Sequence, residues 1–292
     1  LITFRMTALL VNNKLSTIIT KQGVGQTIVH ELAHQWFGNL VTMKWWNDIW
    51  LNEGFATFME SYVMNIHYPS WRMFDQFAYS LILPAMTYDQ LSTTHPVAMD
   101  SDFTENIHLM FDHISYNKGA TILFMLMNTI GESTFMKCVQ IYLKNFAYSN
   151  SDSLSLWEIV TNVTGNKIFE EMMTAWTLNQ GYPIVTISTT NTTGLYLVSQ
   201  ERMLLTADKN KLNHTAHAEI YWPIPIDYVT ETEPFNSKRV WLTSKSKTFN
   251  FSSNYEWIKI NHNFGYYYRT HYGKGILEKI SLSLKKNPSV AV

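Results

Sequence analysis

Two histidines four residues apart, His30 and His34, with Glu31 beside the first, constrain this 292-residue chain more than any other feature. In a helix, positions i and i+4 share one face, so His30-Glu31-Leu32-Ala33-His34 is expected to aim both imidazoles at one point. A random chain of this composition shows the pattern with a likelihood of roughly 0.016, so alone it is suggestive. Glu53 then follows with positions 35 to 52 between, where a helix-turn-helix returns a carboxylate to the histidines. Together the two coincidences fall to about one in a thousand. Zinc suits such a set, because its reactive sites take three protein ligands and leave a fourth position to water. His30, His34 and Glu53 are therefore expected to hold one zinc ion per chain, and Glu31 to act as general base towards the water.

The surrounding pattern is helical as far as about Gly181. Ile28, Leu32 and Trp36 fall at helical spacing in a stretch from Gln22 to Asn39 that carries the histidines. A second helix is expected from Asn52, as cap, to about Ile66, with Glu53 in its first turn and Pro69 ending it. Further helices are expected over Ser70–Met86, Met110–Thr129, Glu132–Asn145, Leu154–Thr161 and Lys167–Asn179. Beyond Gly181-Tyr182-Pro183 the runs turn short and β-branched or aromatic, at 184–187, 195–198, 219–222, 240–242 and 257–260. These read as a small β-sandwich, and Ile276–Leu284 returns to helical spacing. The expected division is residues 1–183, 184–272 and 273–292, a multidomain α+β chain.

A formal net charge of -1 and a charged fraction of 15% provide no basic stripe for nucleic acid and no polybasic segment for anionic lipid. No apolar run approaches the roughly 20 residues that span a bilayer; Ala120–Met127 reads as a buried helix. The absence of an initiator Met and of a signal pattern suggests a piece of a longer protein. Cys138, the one cysteine, sits among apolar residues and reads as a buried inert thiol. Sequons begin at Asn162, Asn191, Asn213 and Asn250, about as many as chance supplies.

The run from Val29 to Ala56, VHELAHQWFGNLVTMKWWNDIWLNEGFA, closely resembles the signature of the zinc aminopeptidases of the aminopeptidase N type. The resemblance extends to Leu1-Ile2-Thr3-Phe4-Arg5, to the block from Phe111 to Ala120, to Trp176–Pro183 and to Trp257–Asn261, so it covers nearly the whole chain. It implies a mainly helical thermolysin-like catalytic domain lacking its front portion, a β-sandwich, and the start of a helical domain. It also implies that Tyr116, in Ser115-Tyr116-Asn117-Lys118-Gly119-Ala120, donates to the oxyanion of the transition state. The implied substrates are peptides with a free N-terminus. The amine-gripping Gly-Ala-Met-Glu-Asn loop of the family is expected upstream of Leu1, and Met6 stands where relatives often place a glutamate.

By the same resemblance the protein is expected on the extracellular face of the plasma membrane, held by an N-terminal segment this chain lacks, with the cytosol as the alternative. A thermolysin-like endopeptidase shares the same ligands and base, and a non-catalytic receptor ectodomain keeps the same fold. Asp48 and Asn52 could orient an imidazole but read more simply as a solvated turn residue and a helix cap. Trp36, Trp45, Trp46 and Trp50 read as packing, and His67, His95, His108 and His113 as structural or exposed, having no ligand spacing.

Overall fold

A computed structural model describes residues 2–99, 107–205, 220–251, 255 and 257–286. The chain divides into two compact units, one of residues up to Tyr88 with His95–Glu170, the other of Asp89–Thr94 with the chain from Glu171 onward. The architecture is mixed α and β, helical first and with small sheets later.

In the first unit, α1 (Ile18–Ala33) begins where the Thr17 side chain accepts from the Thr20 N–H. It stops at Ala33, short of the expected Asn39. Gly38 takes φ +133°, which no α-helix accommodates, and the N–H groups of Asn39, Leu40 and Val41 reach back five residues to His34, Gln35 and Trp36. The chain then enters β1 (Val41–Met43), paired in parallel with β2 (Ser149–Ser151). The helix α2 (Trp50–His67) starts two residues before the expected cap, so Asn52 lies within its first turn, as does Glu53.

A helical segment follows from α3 (Met73–Phe77) through a π-turn at Ala78–Ile82 into α4 (Leu83–Asp89). A second π-turn, Ile114–Lys118, leads into α5 (Gly119–Ile130), and α6 (Glu132–Asn145), α7 (Ser153–Thr164) and α8 (Ile168–Leu178) complete the series. α5 is buried on every side from Gly119 to Met127, as an all-apolar helix must be in water. Around it, Phe55 stacks on Phe37 at 4.3 Å between ring centroids and Trp50 on Trp157 at 5.7 Å. Cys138 is buried in this core.

The second unit holds two sheets. In one, the order is β7 (Ser246–Asn250), β4 (Leu195–Arg202), β3 (Pro183–Thr189) and β9 (Arg269–Tyr272), with β3 and β9 parallel. In the other, β5 (Ile224–Thr230) lies between β6 (Lys238–Leu242) and β8 (Ile258–Ile260), antiparallel to both. β3 alternates in burial, with Val185 and Ile187 inward, whereas β5 is covered on both faces.

The run at 219–222 is not a strand over its described residues, and Glu219 lies outside them. The Gln200 side chain takes the place of a ladder there, its Oε1 accepting from Trp222 N–H and its Nε2 donating to the Trp222 carbonyl, before Pro223, which has no N–H. α9 (Ile276–Lys286) ends the described chain. Asn213, and Ser252 of the Asn250 sequon, fall outside the described residues. Among those residues no helix is long and apolar enough to cross a membrane.

Candidate metal centre

α2 packs along α1, so that both His30 and His34 meet Glu53, and His30 also meets Glu60 two turns further along α2. One side-chain atom from each of Glu53 and the two histidines then converges: His30 Nε2 lies 3.0 Å from His34 Nε2 and 3.2 Å from the Glu53 carboxylate, which is 3.3 Å from His34 Nε2. Among the described residues this is the one group of three that could share a metal ion. Two imidazole nitrogens and one carboxylate oxygen are a donor set that zinc accepts.

The remaining ring nitrogens are also spoken for. His30 Nδ1 lies 2.7 Å from Glu60 Oε1 and donates to it, and His34 Nδ1 donates to the Phe37 carbonyl at 3.0 Å. Each bond fixes its tautomer with Nδ1 protonated and Nε2 turned into the cluster, an arrangement typical of ligating histidines. Phe37 is in reach because the helix has opened after Ala33. Glu60 was not anticipated, although it stands seven residues after Glu53, two turns along the same helix face.

Asp48 and Asn52, read from the sequence as a solvated turn residue and a helix cap, take neither that outer role nor those simpler ones. Asp48 is buried, not solvated: Ser153 Oγ and Trp50 Nε1 both donate to its Oδ1, and burial pushes its carboxyl up. The Asn52 amide faces Met43 Sδ. The tryptophan cluster divides too, with Trp50 fully buried while Trp36 and Trp45 are about half exposed, so only Trp50 is core. His67 and His108 are exposed, and His113 stacks on Tyr88 at 4.5 Å.

Proton affinities register how strongly the cluster attracts positive charge. Burial opposes protonation of His30, but its hydrogen bonds to the Glu53 and Glu60 carboxylates outweigh it and carry His30 up to about 9. Burial disfavours ionised Glu53 as well, yet the two histidines bring it down to about 2. Burial raises Glu60.

Glu31 shares with His30, Gln26, Thr27 and Glu60 the lining of an open pocket at this face of α1. Tyr116 arrives from the π-turn, its ring parallel to that of His30 within 6° at 6.0 Å. Its approach depends on two glycines: a Cβ at Gly54 would come within 3.0 Å of the Gly119 backbone, and one at Gly119 within 3.2 Å of Gly54 Cα. α2 and the head of α5 thus touch backbone to backbone, next to Glu53 on one side and three residues past Tyr116 on the other. Burial and the nearby Glu53 charge push the Tyr116 phenol well above its ordinary range, so its proton stays in place as a hydrogen-bond donor.

An HExxH helix whose histidines meet a carboxylate from the next helix is a metallopeptidase type of site. Residues 1–176 match the peptidase family M1 domain, and the chain belongs to that family. It is similar to endoplasmic reticulum aminopeptidase 2 of Bos taurus, at 37% identity over 97% of this chain and 32% of that protein. Aminopeptidase N of Homo sapiens is 34% identical over 99% of this chain and 30% of its own length, and leucyl aminopeptidase of Saccharolobus solfataricus 38% over 93% and 33%. The chain thus spans about a third of the relatives it matches.

Proposed function

We propose that the protein containing this chain is a zinc-dependent aminopeptidase that hydrolyses the N-terminal bond of peptides, with His30, His34 and Glu53 as ligands. The observation that carries the reading is the convergence of those three side chains with Tyr116 stacked beside them and Glu31 on the same helix. Zinc bound there supplies a Lewis acid that acidifies water and polarises a carbonyl. Glu31 accepts the proton of the attacking water and returns it to the leaving amine, a role worth roughly 10² to 10⁴ in rate. Tyr116 donates its hydroxyl proton in a hydrogen bond to the oxyanion that develops on the scissile carbonyl, and loss of one such donor costs about 2.7 to 4 kcal/mol.

The aminopeptidase reading, as against an endopeptidase, is supported by the names of the similar proteins and by the extent of the match. The thermolysin-like catalytic unit, the β-sandwich and the extracellular location are part of the same proposal. In the full-length protein Glu31→Gln is expected to keep one zinc per chain while losing at least about 10²-fold in turnover. Retained turnover overturns the role of Glu31. Cleavage of N-acetylated peptides as readily as free ones overturns the aminopeptidase assignment.

A further inference from the structure

The π-turn that presents Tyr116 is held from its N-terminal side by one residue. Asp112 Oδ1 accepts from the N–H of Ile114 at 2.8 Å and of Ser115 at 3.1 Å, and the Asp112 carbonyl accepts from the N–H of Tyr116 itself at 3.1 Å. Three successive donors therefore end on Asp112. Its second carboxylate oxygen, Oδ2, lies 2.9 Å from His95 Nε2, and His95 Nδ1 lies 2.7 Å from the Pro96 carbonyl. Both ring nitrogens face oxygens that can only accept, so both carry protons and His95 is an imidazolium. A charge-assisted pair fixes Asp112, and Asp112 fixes the turn.

A π-turn needs such support. Lys118 N–H reaches back five residues to the His113 carbonyl, one more than the α-helix allows, a geometry that is rare and concentrated at functional sites. The extra residue decides which way Tyr116 points, and a hydrogen bond to an oxyanion tolerates little misplacement.

We propose that His95 and Asp112 are positioning residues that set the Tyr116 hydroxyl for catalysis. This rests on the reading of Tyr116 as oxyanion donor. Neither residue touches the metal cluster or the pocket beside Glu31; they act through the turn.

The test is a set of variants in the full-length enzyme, with kcat, KM, zinc content and melting temperature measured for each. Tyr116→Phe alone examines the underlying reading and is expected to lower kcat about 10²- to 10³-fold. His95→Gln is expected to lower kcat roughly 10- to 100-fold, as a displacement of about 1 Å does, with KM and zinc content within about twofold of the parent. In the Tyr116→Phe background the same change is expected to cost less than about threefold, because its target is gone. Asp112→Asn, which keeps the acceptor for Ile114 and Ser115, is expected to retain more kcat than Asp112→Ala and serves if the alanine variant does not fold. Losses that multiply in the double variant, or a His95→Gln enzyme with lowered melting temperature and unchanged kcat, overturn the proposal. A Tyr116→Phe enzyme at full kcat overturns the reading beneath it instead.

Discussion

Glu60 decides how His30 is presented, since no other side chain among the described residues takes the Nδ1 proton of that ring. Removing such a partner commonly costs 10- to 100-fold in metal affinity. Glu60→Ala is therefore expected to weaken zinc binding by roughly that factor, and Glu60→Gln, which keeps an acceptor oxygen, by less. Competition with a calibrated chelator measures both, and unchanged affinity in the alanine variant removes Glu60 from the site. The triad itself was legible in the sequence because helical spacing alone dictates that positions 30 and 34 share a face, and a motif fixes where position 53 must return. Glu60 was missed although its offset of seven from Glu53 was on view. His95 and Asp112 were illegible, because they lie seventeen positions apart and no local period relates them.

At the scale of elements, the crossing of α2 with the head of α5 depends on Gly54 and Gly119, whose backbones leave no room for a side chain. Gly54→Val is expected to destabilise the protein by about 1 to 3 kcal/mol, as overpacking does, and to lower kcat by moving Tyr116 away from Glu53. A valine variant with parental melting temperature and turnover contradicts that contact. The turn before α5 carries a pH signature of its own. Burial and the like charge of Lys118 oppose protonation of His95, but Asp112 and the Pro96 carbonyl raise it; burial opposes ionised Asp112, but His95 and the turn's N–H groups lower it.

Stability from His95 is complete below its unfolded pKa and disappears as pH rises through the raised folded value. Stability from Asp112 is present above its unfolded pKa and disappears as pH falls through the lowered folded value. The melting-temperature gap between the parent and His95→Gln is thus expected to be widest at roughly pH 4 to 6.5 and to close on the alkaline side. A gap constant up to pH 10 rules this out. Element types were readable from period and composition, whereas ends were not: α1 stops at Ala33, before Gly38 turns to positive φ, and at the expected strand 219–222 the Trp222 backbone pairs with a side chain, Gln200, from another part of the chain.

For the molecule as a whole, the two units differ in what zinc can do for them. All three proposed ligands lie in the first unit, on α1, its C-cap and α2, and α2 packs against α5 in that unit's buried core. A ligand that binds only the folded state stabilises by RT ln(1 + [L]/Kd), about 2.7 kcal/mol at a hundredfold excess over Kd. That energy enters where the ligands are, and local opening reports it locally. Stripping zinc from the full-length protein is accordingly expected to speed amide hydrogen exchange in α1, α2 and the segment from Ile114 to Ile130. The strands β3 to β9, which contain no ligand and are bound by their own ladders and aromatic core, are expected to keep their protection. Equal loss of protection in both sets places the metal's contribution outside the α1 and α2 pair, and with it the ligand set proposed here.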